Sequence, residues 1–337
     1  METMIKKVSR LATTEELAAI ELAGQYIREG QLVAFPTETV YGLGADALNE
    51  AAVAAIFAAK GRPADNPLIV HISDLEMLSP LAEINDLVYK LADAFWPGPL
   101  TLVLPKKNIV PDIVTAGLDS VAVRMPDNKV ALSLIRAAGR PIAAPSANLS
   151  GRPSPTEAAH VAHDLTGRIP LILDGGATDI GLESTVIDIC GNMPTLLRPG
   201  KVTAADLDPF VGEVAMAGSK EAQRPAAPGM KYTHYAPQAK VYLAKDSGQI
   251  NQLIEQLQPQ GKLMVIATEM TAASLPKDTD VFIICRHNDW ETFARNIFAA
   301  FRLADAKGAV SVVTETVPEQ GIGLAIMNRL RKAESKL

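Results

Sequence analysis

The chain has 337 residues, 48% hydrophobic and 21% charged, with 23 Gly, 23 Pro and two Cys. That composition belongs to a folded protein with room for about two domains, and it excludes a disordered, collagen-like or disulfide-stapled chain. A net charge of −6, from 32 basic and 38 acidic side chains, speaks against wholesale coating of nucleic acid but leaves room for a local basic cleft.

The start, METMIKKVSRLATTEEL, has a Lys pair without a long apolar run behind it, so no secretory leader is expected. The longest apolar stretches fall well short of the ~20 residues of a bilayer span. Thr13 and Glu16 have capping-box spacing ahead of an amphipathic helix that stops at Gly30. QLVAF (31–35) is a buried strand ending at Pro36, and Asn49 caps a helix closed by Gly61. The series continues with PLIVHI (67–72), a helix around 83–95, LTLVLP (100–105), VAVR (121–124), a helix near 128–138 and PIAAPSA (141–147). A helix near 155–166, IPLILD (169–174), STVIDI (184–189) and TLLRPG (195–200) complete it. Strands this apolar among amphipathic helices predict an α/β sheet covered on at least one face, and runs without an intervening helix make it mixed.

Periodicity fails over 212–239, which reads as a linker. Beyond it come KVYLA (240–244), a helix near 248–258, KLMVIAT (262–268), VFIICR (281–286), a helix around 289–306, AVSVVTET (309–316) and a helix near 321–333. This is a small Rossmann-like α/β unit. The expected domains are therefore 1–211 and 240–337, joined by 212–239. Cys190 and Cys285 both fall in apolar strand-like runs, as structural thiols of a reducing compartment do.

Several familiar devices are absent or weak. Gly176 and Gly181 have P-loop spacing, but Leu182 and Glu183 stand where Lys and Ser/Thr are needed. Gly42, Gly44 and Ala47 fit the loosest dinucleotide fingerprint, with only Asp65, in a Pro-rich loop, as the acidic partner. Glu157, His160 and His163 lie along one helical stripe and read as a solvated face. No Gly-x-Ser-x-Gly elbow occurs.

Polar residues instead collect at strand ends. PTETVYGLG (36–44) brings Thr37, Glu38, Thr39 and Tyr41, and KGRPADNPLIVHI (60–72) brings Lys60, Arg62, Asn66 and His71. DSVAVRMP (119–126) ends a strand on Arg124, APSANLSGRPSPT (144–156) is rich in hydroxyls, and ESTVID with LLRPG adds Ser184, Thr185 and Arg198. Any one piece alone is ordinary: a histidine on an apolar strand is usually a satisfied core residue. Together, four cations among many hydrogen-bond donors suit an anionic nucleotide with a small amino-acid-like substrate.

In order and content, PTETVYGLG, KGRPADNPLIVHI, SANLSGRPSPT, ESTVID and LRPG resemble the YrdC-like family of L-threonylcarbamoyladenylate (threonylcarbamoyl-AMP) synthases. APGMKYTHYAP (227–237) looks like the linker signature of the long two-domain form. The resemblance implies an N-terminal open twisted mixed sheet with a concave cavity. It also implies a nucleotidyltransferase reaction in which L-threonine, bicarbonate or CO2, and ATP give threonylcarbamoyl-AMP and pyrophosphate. The product would pass to a tRNA threonylcarbamoyl transferase complex in the cytoplasm, for modification of ANN-decoding tRNAs.

By the same resemblance, threonine is held by Thr39, His71, Arg124, Ser146 and Ser184. ATP is held by Lys60, Arg62, Asn66, Ser120, Asn148, Thr156 and Arg198, with Tyr235 of the linker closing over it. Mg²⁺ accompanies ATP, held mainly by phosphates and water, and no side-chain nucleophile is expected. The rival readings are an RNA-binding or regulatory homologue using the same cationic cavity, and a homologue that binds nucleotide without synthesis. Overall acidity and only 5% aromatic residues argue against the RNA binder.

Overall fold

The computed structural model describes residues 1–9, 11, 13–217 and 235–335. Most of the linker expected over 212–239, and all of the 227–237 signature but its last three residues, lie outside the described residues. By internal contact the chain forms two compact units. The first comprises Met1–Ser150, Pro155–Asp179 and Glu183–Ala217, and the second Gly151–Ser154, Ile180–Leu182 and Tyr235–Ser335.

Strands of the first unit are β1 (Met4–Lys7), β2 (Val33–Phe35), β3 (Gly42–Asp46), β4 (Ile69–His71), β5 (Leu100–Pro105), β6 (Ser120–Arg124), β7 (Ile142–Ala144), β8 (Leu171–Asp174), β9 (Thr185–Asp188), β10 (Thr195–Arg198) and β11 (Ala215–Met216). They form one sheet in the order β1-β8-β2-β3-β7-β4-β6-β5-β9-β10-β11. It is mixed, as expected: β4 runs parallel to β6, while β7 is antiparallel to both β3 and β4.

Local signals set the helices. The Thr13–Glu16 capping box closes at 3.1 and 3.2 Å at the head of helix Thr14–Arg28. Asn49 Oδ1 accepts from Ala51 N and Ala52 N at the head of Glu50–Lys60, which Gly61 ends in the left-handed conformation. Val70, Leu102, Leu104, Val123 and Ile187 project into the main core with helices Glu50–Lys60, Asp86–Phe95 and Ala158–Leu165. On the opposite face, helices Thr14–Arg28 and Lys129–Ala138 pack on Val33, Phe35, Ile142 and Ala144.

Four local readings change. Gly42–Asp46 is itself a strand, not the loop a dinucleotide fingerprint needs. Its glycines answer to packing, because a Cβ on Gly44 would lie 2.7 Å from Ile142 and 2.8 Å from Phe35. Met4–Lys7 pairs in parallel with β8, and Ala215–Met216 with β10, short edge strands with too little alternation to see in sequence. Helix Ala204–Val211 also escaped, despite its Thr203–Asp206 capping box. Cys190 is exposed in a bend beyond β9, its N–H donated to Asp188, whereas Cys285 is buried.

The second unit carries β12 (Lys240–Ala244), β13 (Leu263–Ala267), β14 (Val281–Ile283) and β15 (Ser311–Glu315) in the order β12-β15-β13-β14, all parallel. Helices Ser247–Leu257 and Trp290–Ala306 fall between them and Ile322–Ala333 follows the last strand, giving the expected small α/β unit on a parallel sheet.

Candidate active site

Strand alternation, period two, sorts the first sheet's side chains. The pairings Ile69↔Ala122, His71↔Arg124, Val103↔Ala122 and Thr101↔Val186 put Ser120, Arg124, His71, Thr101 and Ser184 on one face. Ile69, Val103, Ala122, Val186 and Leu197 form its apolar floor, a cluster whose buried members all come from strands.

Register then divides the expected residues along the strands. His71 and Arg124 close β4 and β6, and Ser184 and Arg198 reach the same level through β5 and β9. Asn66 and Ser120 stand at the opening ends of β4 and β6, and Ser146, beyond the antiparallel β7, joins them there. Four residues of strand separate the levels, roughly 13 Å.

At the closing level, Arg124 is 3% exposed. Its Nε donates to Gly98 O at 3.2 Å, its Nη1 donates to Thr39 Oγ1 at 2.9 Å, and its Nη2 lies 2.6 Å from Glu38 Oε1. Thr39 arrives from the turn after β2, where Thr37 Oγ1 accepts from Thr39 N and Val40 N and buried Tyr41 donates to Gly176 O. Arg198 donates from Nε to Ser184 O at 2.9 Å and from Nη2 to Ser184 Oγ at 3.0 Å, and Ser184 Oγ shares a 2.8 Å hydrogen bond with Thr101. Gly98 and Pro99 connect these groups, since Pro99 O accepts from Thr185 N.

His71 sits edge-on to Phe35 at 6.0 Å between centroids. Burial, reinforced by the Arg124 charge, pushes its pKa down to about 3, so the ring is neutral. Below an unfolded value near 6.5, the unfolded chain takes up this proton and the folded one does not. Stability is therefore expected to fall as pH drops from 6.5 towards 3, and urea unfolding of His71→Leu should show a flatter pH dependence than wild type.

At the opening level, Lys60 ends its helix 2% exposed and donates to the carbonyls of Ser146 and Asn148, tying the helix to that turn. Ser146 Oγ donates to Asn148 Oδ1 at 2.6 Å, and Arg62 Nη2 reaches Asn66 O at 3.3 Å. Thr156 N lies 3.3 Å from His160 Nδ1. Thus His160, read as part of a solvated stripe, is half-buried and helps place Thr156, whereas His163 and Glu157 are exposed. Tyr235 belongs to the second unit. There its ring stacks on Phe298 at 5.4 Å, with Arg329 Cζ 5.7 Å from its centre.

Sequence reasoning left out Glu38 as a site residue, as well as Thr101 and Gly98. Thr101 was visible as the polar break in LTLVLP; Gly98 contributes only backbone and gave no signal. In the second unit, a cleft of about 470 Å³ lies at the carboxyl ends of the parallel strands, lined by Lys245, Thr271, His287, Trp290 and Glu315 among others, where open parallel sheets hold ligands. Lys245 shares this lining with Asp246 and Glu315, and Glu315 already accepts from Thr268 N and Thr271 Oγ1, so the lining favours no one ligand class.

An open mixed sheet with buried Arg, His and hydroxyls on one face, and a buried Lys and amides at the other strand ends, defines an α/β binding fold for small charged substrates. Residues 25–200 match the Sua5_yciO_yrdC family model, described as telomere recombination, and residues 202–335 match that of the threonylcarbamoyl-AMP synthase C-terminal domain. The chain belongs to the Sua5/YciO/YrdC family, in the form that carries this second domain. It is 51% identical to a threonylcarbamoyl-AMP synthase of Pyrococcus abyssi over 93% of each chain, and 47% identical to one of Bacillus subtilis over 95% of each. A crystal structure of P. abyssi Sua5 complexed with L-threonine superposes with a TM-score of 0.91 at 50% identity, covering 98% of this chain and 97% of that one.

Proposed function

We infer that this protein is a threonylcarbamoyl-AMP synthase that makes threonylcarbamoyl-AMP and pyrophosphate from L-threonine, bicarbonate or CO2, and ATP. The reading is carried by 51% identity over nearly the full length to a relative named for that activity. The threonine amine adds to CO2, and an oxygen of the resulting carbamate attacks the α-phosphorus of ATP, expelling pyrophosphate. Such a reaction asks the protein to align reactants and neutralise charge, without a side-chain nucleophile.

In this reading Thr39, His71, Arg124, Ser146 and Ser184 hold threonine. Lys60, Arg62, Asn66, Ser120, Asn148, Thr156, Arg198 and Tyr235 hold ATP. The hydrogen bond between Thr39 and Arg124 supports the first grouping, and that between Ser184 and Arg198 joins the two sets. Ser146 lies with Lys60 and Asn148 at the opening level, so it would meet the substrates where the two sets adjoin. Among the described residues no group of three or more Asp, Glu, His or Cys is placed to hold a metal ion. The cations, hydroxyls and amides suit phosphate oxygens, so Mg²⁺ would arrive on the ATP phosphates with water completing its shell.

Among the described residues no helix is long and apolar enough to cross a membrane. We place the reaction in the cytoplasm, with the product consumed by a tRNA threonylcarbamoyl transferase complex. Pyrophosphate release by the purified protein with ATP and bicarbonate should depend on L-threonine, with serine, one methyl smaller, about tenfold or more weaker in kcat/KM. ATP binding without threonine-dependent release would overturn the synthase reading in favour of a regulatory or RNA-binding homologue.

A further inference from the structure

Glu38 has no role in the chemistry assigned so far, yet it is a carboxylate 5% exposed beside Arg124. Its Oε1 lies 2.6 Å from Arg124 Nη2, but neither carboxylate oxygen nor Nη2 makes a hydrogen bond of acceptable geometry. The remaining fork of Arg124 is spent on Gly98 O and Thr39 Oγ1. A buried ion pair offsets its desolvation only when hydrogen bonds satisfy both partners; this one leaves atoms of both signs unsatisfied. His71, the register partner of Arg124, leaves Nδ1 in the same condition.

A buried carboxylate and a buried guanidinium edge, in ion-pair contact at 2.6 Å but outside hydrogen-bond geometry, are complementary to a zwitterion. An α-amino acid carries its carboxylate and ammonium on one carbon. We propose that Glu38 recognises the α-ammonium of the amino-acid substrate: on binding, Arg124 Nη2 exchanges Glu38 for the α-carboxylate, and Glu38 accepts a hydrogen bond from the ammonium. The proposal rests on the reading of threonine as substrate. Backbone on the far side of Glu38 is pinned by the Thr37 turn, through Thr39 N and Val40 N, so the exchange needs side-chain rotation alone. The pair balances the buried charges before substrate enters, and makes the subsite selective for α-amino over α-hydroxy acids.

The test compares calorimetric binding of L-threonine and of its 2-hydroxy analogue, which lacks the ammonium, by the full-length protein. Wild type should bind threonine and discriminate against the analogue. Glu38→Gln should bind threonine at least about tenfold more weakly, the range for a hydrogen bond to a charged group. It should bind the analogue equally or more tightly, because Arg124 is then uncontested. In steady-state assays the threonine KM should rise while the ATP KM holds. If Glu38 only counterbalances Arg124, Glu38→Gln will bind both ligands more tightly, and the proposal falls; an equal loss of both also overturns it. Should Glu38→Gln fail to fold, Glu38→Asp keeps the charge on a shorter arm and must still lose threonine affinity selectively. Wild type that binds no threonine at all would instead remove the synthase reading itself.

Discussion

Arg124→Ala is expected to raise the threonine KM by about two orders of magnitude while leaving the ATP KM within about twofold. Truncating one partner of a buried, hydrogen-bonded charge pair costs about 2–5 kcal/mol, and about 2.7 kcal/mol is a hundredfold. The guanidinium is held by Gly98 O and Thr39 Oγ1 and turns Nη2 towards Glu38, so its position is fixed before substrate arrives. The same substitution leaves the Glu38 carboxylate buried without its counter-charge, a cost to stability of about 3–5 kcal/mol. Arg124→Lys should recover part of the stability but little of the threonine affinity, because a single ammonium cannot hold those two anchors and present a third donor edge. Steady-state kinetics in both substrates, with urea unfolding alongside, check this; equal loss of both affinities would remove Arg124 from the carboxylate role.

Gly200→Ala should lower the melting temperature by about 2–12 °C and abolish most of the activity. A Cβ at this position would lie 2.4 Å from Thr185 N, 2.7 Å from Thr185 Oγ1 and 2.8 Å from Ser184 C. Two of these atoms are backbone, and Thr185 N already donates to Pro99 O while Thr185 Oγ1 donates to Val202 O. The turn after β10 would have to lift off the start of β9, parting Arg198 from Ser184. Overpacking of this kind costs roughly 1–3 kcal/mol, and each kcal/mol shifts the melting temperature of a domain this size by about 2–4 °C. Gly191→Ala, where an added Cβ meets nothing within 4 Å, is the control and should leave both properties unchanged.

Much of this was legible in the chain itself. The Thr13–Glu16 box, the Asn49 cap and the left-handed Gly61 stop follow from neighbours within four residues, and the structure realises each. The apolar runs of β5, β6 and β9 declared themselves because a strand buried on both faces has no polar alternation to disguise it. Short edge strands such as Ala215–Met216 carry too few side chains to show a period. Glycines 42 and 44 have fingerprint spacing, set aside as weak, for a reason the local motif does not record: Phe35 and Ile142 lie across them.

By itself, then, the sequence determined the element types, the mixed α/β class and the set of polar strand-end residues, since all three depend on local periodicity, capping and composition. Only tertiary structure decided which of those residues meet. His71 and Arg124 become neighbours through β4–β6 pairing, and Ser184 reaches Arg198 through β9–β10. Register is set by distant strands competing to bury one face, and a slip of one residue would turn every side chain to the other side. The same long-range pairing brought Glu38 against Arg124 and left both incompletely hydrogen-bonded, a relation no spacing along the chain encodes.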